Sequence, residues 1–204
     1  MILAVALLPL AAAAASEDLA EPEPYPAREV LAAFATACSG IEAIPVAQAS
    51  VRAAGWEQVE PAADSAIARI VKVGEDMMAR QDPSVDILDG GIWRKNVAGR
   101  ELFTVISGVQ MEGIASSGCR VYDLAAPAAL AEEDLRDWAV RDPQDAGSTI
   151  PGSARFFWNP GLKPGHIEME ISFVPQGAKL PEPLADIPLS GLIFTASAVE
   201  FSDL

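Results

Sequence analysis

Two cysteines, Cys38 and Cys119, lie 81 positions apart in a chain of 204 residues. No other feature constrains the fold as much. Cys38 falls late in a segment of helical periodicity and Cys119 just before Val121 and Tyr122 in a β-branched, extended run. A bond between them therefore fastens an opening helix to a strand. In an oxidising compartment an even count of two favours pairing. Elsewhere they would be two buried thiols acting as small apolar side chains. For a loop of this span the chain-entropy argument gives a bridge about 4–5 kcal/mol, a large part of a domain's stability margin. A catalytic thiol is the weaker expectation, because the single histidine would have to serve it and neither cysteine lies in a nucleophile motif.

The compartment is itself legible. Residues Met1 to Ala15 read MILAVALLPLAAAAA, an unbroken apolar run ending in small residues and followed by Ser16-Glu17-Asp18. That is the outline of a secretory signal peptide, although the first basic residue is Arg28. Fifteen residues fall short of the roughly 20 needed to cross a bilayer, and no other stretch is apolar enough, so no integral membrane span is expected. Residues 16–25 are acidic and proline-rich, which predicts a solvated tether. A single domain is then expected over 26–204, in a periplasmic or secreted setting. With 29 acidic against 14 basic side chains the net charge is -15. Such a field repels a phosphate backbone, so nucleic acid is not expected as a partner.

Along the domain, helical spacing marks Pro26 to Ser39, Pro45 to Ala54 and about Pro61 to Arg80. Gly74 is placed to bend or end the third helix. Between Ile92 and Leu124 the pattern changes to β-branched and aromatic runs with glycine turns, which predicts three antiparallel strands turning at Ala98-Gly99 and at Ser116-Ser117-Gly118. A further helix is expected over Ala131 to Arg141. Gln144 to Gly152 is a polar loop and a candidate mobile segment. Strands near 154–159, 166–174 and 191–201 follow, with a proline-bearing crossing loop before the last. The expected class is α+β: N-terminal helices packed on one face of a mainly antiparallel sheet of about five to six strands, with one inserted helix.

The spacing of Phe34 to Cys38, the Gly55-Trp56 step after a short helix, Gly118-Cys119-x-x-Tyr122-Asp123 and Trp158-Asn159-Pro160 together resemble a group of small secreted bacterial proteins of uncharacterised function. The resemblance covers most of the expected domain. It implies export and one domain, and carries over no catalytic residue.

Two constellations can carry chemistry. In the run His166-Ile167-Glu168-Met169-Glu170-Ile171-Ser172, strand periodicity puts His166, Glu168, Glu170 and Ser172 on one face. Such a set can hold a divalent metal or pass a proton, but it is more often the wet face of a half-buried strand. The second is Arg94 and Lys95 with Arg100, three cations able to meet a carboxylate or phosphate. Their ordinary role is cross-strand pairing with acids such as Glu101 or Glu112. His166, Glu168, Glu170, Arg94, Lys95 and Arg100 form the candidate ligand face; no catalytic residue, metal or cofactor is assigned. The phosphate-loop, nucleophile-elbow, zinc-helix and calcium-loop signatures do not occur in the sequence. The leading expectation is a non-enzymatic binding or accessory domain for a protein or small ligand, using the sheet face and the loops at 144–152 and 175–188. The alternative is a carboxylate- or metal-dependent hydrolase built on His166, Glu168 and Glu170.

Overall fold

A computed structural model describes residues 24–111, 114–161, 163–182, 184–185 and 187–201. The expected signal peptide, most of the tether and Glu112 lie outside these residues. Among these residues four helices, α1 (Ala27–Ala37), α2 (Ile44–Ala53), α3 (Ala66–Gln81) and α4 (Glu132–Ala139), accompany one eight-stranded antiparallel sheet. Its strands are β1 (Glu57–Val59), β2 (Asp86–Val97), β3 (Arg100–Met111), β4 (Ile114–Asp123), β5 (Asp145–Ala146), β6 (Ala154–Trp158), β7 (His166–Val174) and β8 (Gly191–Phe201). They run in the order β1-β2-β3-β4-β8-β7-β6-β5. Two four-stranded meanders thus meet at the β4–β8 seam, each strand pairing with its neighbour in sequence until the two last-made strands join.

The α+β class holds, and the strand count is corrected from five or six to eight. The extra strands are β1 and β5, of 3 and 2 residues, too short to show a period. Short edge strands of this kind limit how much open ladder the sheet offers to another chain. β2 also begins before Ile92, running through Gly90-Gly91, where its pairing with β3 shifts register. Gly90 is required there, because a Cβ would lie 2.3 Å from the Ile106 side chain. The turn expected at Ser116-Ser117-Gly118 is displaced: these residues pair inside β4, and Met111 already pairs with Ile114. Ala98 and Gly99 do form the first turn, both with positive φ.

α3 begins at Ala66 rather than Pro61, because the Ser65 hydroxyl accepts from the Ala68 N–H and caps it. It runs through Gly74 to Gln81. Helices do not share one face of the sheet, as expected, but cover both. On the first face α1, α2 and α4 bury Val30, Leu31, Phe34, Val51 and Leu135 against Trp93, Ile106, Trp158 and Phe194. On the second face Ile67 and Ile70 of α3 pack with Val105, Tyr122 and Ile193. Leu180 joins that second core, and Leu184, Ile187 and Leu189 pack against it, so the proline-bearing crossing loop is a strap over the sheet. A helix stripe shows that one side is buried but not which face of a sheet buries it.

Cys38, at the C-terminus of α1, is bonded to Cys119 in β4, with Cα atoms 5.5 Å apart. Both are buried, and the bond pins α1 to the first face. No described helix is long and apolar enough to cross a membrane.

Candidate functional site

The first face is nearly closed, and its polar groups are mostly committed to internal bonds. Arg100 projects onto it beside Asp123, the last residue of β4, which is only 1% exposed. Arg100 Nε donates to Asp123 Oδ2 at 2.8 Å and Nη2 to Oδ1 at 2.8 Å. Tyr25 donates its hydroxyl to Oδ2 at 2.9 Å, and the Arg100 guanidinium lies 5.5 Å from its ring centroid. Burial, then the Asp123 charge, pushes the Tyr25 phenol well above its usual range, so it stays a donor. Tyr25 is therefore docked on the domain rather than part of a solvated tether. The partner of Arg100 is Asp123 on the neighbouring strand, a cross-strand pairing with an acid as expected, though with neither of the glutamates named.

Lys95 points to the same face and donates to the Ala54 carbonyl at 2.5 Å, satisfying an end of α2. Arg94 points to the opposite face, 3.6 Å from Glu57 and 3.9 Å from Glu101. Exposed pairs at such distances contribute little, about 0–1 kcal/mol. The three cations of the sequence cluster therefore do not converge.

The histidine strand is divided as well. His166 pairs with Ala198 and Glu168 with the adjacent Ser197, so one residue of β7 is extra and the alternation slips. Ile167 is left exposed, and His166 turns to the first face with Met169. Glu168 and Glu170 remain on the second face, so the expected four-residue set is not assembled. Strand periodicity alone cannot register a bulge. Among the described residues no group of three or more His, Cys, Asp or Glu is placed to hold a metal ion.

His166 is 7% exposed, and its Nε2 has no hydrogen-bond partner. It lines a cavity of about 30 Å³ with Phe34, Ala35, Cys38, Trp138, Lys163, Met169 and Ala196. A Cβ on Gly161 would lie 2.6 Å from His166 Cβ and 3.1 Å from the Glu168 carbonyl oxygen, so only glycine fits against the start of β7 there. Lys163 Nζ donates to the Ala35 carbonyl at 2.6 Å, and burial lowers its pKa. Burial also lowers the His166 pKa, Lys163 adds to the shift, and Glu42 opposes both.

Outside the reach of α3 and the strap, part of the second face is polar and half exposed, beside the apolar Ile87, Val109 and Val199. Register places Arg120 of β4, Thr195 of β8 and Glu170 of β7 in one row across the strands. Beside it, Ser197 donates to Glu168 Oε1 at 3.1 Å. Arg155 of β6 donates to Glu170 Oε2 at 2.8 Å and to Asp145 Oδ2 of β5 at 2.7 Å. Its guanidinium lies 4.9 Å from the Phe157 ring centroid. Arg120 donates to Ser107 Oγ at 3.3 Å and is paired with no acid in the bonds described. Of the sequence candidates only Glu168 and Glu170 belong to this strip. Arg120, Arg155, Thr195 and Ser197 were missed. The period of two in β6 and β8 signals that they share a face, but only the register makes them neighbours.

The residues 144–152, expected as a mobile loop, are partly sheet: Asp145 and Ala146 pair with Phe157 and Phe156. No protein-family model, curated protein or solved structure matches the chain.

Proposed function

We propose that this protein is an exported, non-enzymatic domain of the periplasm or cell exterior that binds a ligand or partner protein on the polar strip of its second sheet face. The carrying observation is the strip itself, in which Arg120, Arg155, Glu168, Glu170, Thr195 and Ser197 are held half exposed on four adjacent strands. Side chains on paired strands are held in place more firmly than side chains on loops. Charges of both signs beside hydroxyls match a polar partner with its own donors and acceptors, to which the arginine–carboxylate pairs can re-pair. Asp145, in the 144–152 segment, borders the strip, and the strap covers the apolar part of the same face. Export is supported by the apolar leader pattern, by the buried bridge between Cys38 and Cys119, and by the resemblance to small secreted bacterial proteins. The hydrolase alternative draws no support from the geometry, since the sheet lies between His166 and the two glutamates.

The test is a pull-down from periplasmic extract with the wild-type protein and with Arg120→Glu/Glu170→Arg. A species held by the wild type, lost with the double variant and kept with Arg94→Ala on the same face supports the strip as the site. Capture indifferent to the double variant defeats it. Fractionation that finds the protein in the cytosol, with both thiols open to alkylation, defeats the export half of the reading.

A further inference from the structure

The His166 cavity is separate from the polar strip and lies on the other face of the sheet. It joins three unusual features: a nine-tenths buried imidazole, an Nε2 with no partner, and a direct border with the disulfide residue Cys38. We propose that His166 is a proton-operated latch: neutral, it seats the start of β7 under α1 and α4, and protonated, it loosens that seam and opens the disulfide to solvent.

The argument begins with what surrounds the ring. α1 presents Phe34, Ala35 and Cys38, α4 presents Trp138, β8 presents Ala196 and Ala198, and β7 itself presents Met169. None of these can stabilise a cation through a charge. The charged groups acting on the ring are Lys163, which repels an imidazolium, and Glu42 in the α1–α2 connection, which attracts one. Burial and Lys163 outweigh Glu42, so the folded protein favours the neutral ring. A cavity of about 30 Å³ has room for roughly one water, too little to hydrate a charged ring in place. An uncompensated buried charge is relieved by moving to solvent. The direction of movement is set by the fold. Gly161 closes on His166 Cβ and the Glu168 backbone, which leaves the strand side no room to give, so the seam with α1 and α4 must yield, and Lys163 ties that seam through a bond to Ala35.

The pH sense follows from the lowered pKa. Between the unfolded and folded values the open chain binds the proton and the closed one does not. The latch therefore holds fully above the ordinary imidazole pKa and is lost as pH falls through the folded value.

The sequence contains one histidine, so a single imidazole signal reports the event directly. In the experiment the untagged protein is titrated by proton NMR from about pH 7.5 downward, and the rate of disulfide reduction by a water-soluble trialkylphosphine is measured over the same range. The expected result is an imidazole midpoint below the ordinary value and reduction about tenfold faster on its acid side, with the two transitions coincident. In His166→Phe, which fills the cavity without titrating, the acceleration is absent. Persistence of the acceleration in that variant overturns the latch. So does a midpoint at the ordinary value, or an imidazole that stays neutral until the whole domain unfolds in acid. If the variant does not fold, the coincidence of the two wild-type transitions decides alone.

Discussion

The two faces of the sheet are built by the same strands but do different work. On the first face, α1, α2 and α4 close over two fully buried tryptophans, a disulfide and a buried carboxylate with every partner in place. On the second, α3 and the strap cover an apolar patch and leave the polar strip half exposed. The alternation of each strand produces both at once: Phe194 and Ala196 face the helices while Thr195 and Ser197 face outward. Stability is therefore concentrated on one side, and the other is left able to vary.

Four variants test this division. Replacing both cysteines by alanine has the largest expected effect, a loss of about 4–5 kcal/mol read as a lower urea midpoint. A loss near zero would show that the first face does not depend on the bridge. Next comes Arg100→Met, which strands the buried Asp123 carboxylate and costs about 3 kcal/mol in the same assay. Tyr25→Phe removes one bond to that carboxylate and costs about 1 kcal/mol. It also asks whether the segment before α1 is held to the sheet, which limited proteolysis at residues 24–26 would report. The smallest change is expected for Glu170→Ala on the strip. Its partner Arg155 keeps Asp145, and a half-exposed pair is worth about 0.5 kcal/mol or less. A loss from Glu170→Ala as large as that from Arg100→Met would erase the contrast between the faces.

Much of this architecture can be read from the residues before any coordinates. Cys38 on a helix stripe and Cys119 in a β-branched run identify the helix–strand staple, and the alternation of HIEMEISFV identifies β7. What the pattern hides is relational. The extra residue at Ile167 changes no local propensity, yet it sends His166 to the opposite face from Glu168. Arg100 has acids near it in sequence, but its partner Asp123 comes from the far end of a neighbouring strand. α3 carries a clear apolar stripe that fits either face equally well. The polar strip draws on β4, β8, β7 and β6, and β4 lies far from β7 and β8 in sequence, so it exists only once the order of the sheet is set.

That order has a consequence for how the chain is made. Among the described strands β8 comes last in chain order yet lies at the centre of the sheet, between β4 and β7. While it is still inside the ribosome, the two meanders have open inner edges and nothing to join them. Synthesis from the N-terminus therefore keeps the emerging polypeptide from closing prematurely, and a truncation that removes β8 costs both halves of the molecule rather than one strand.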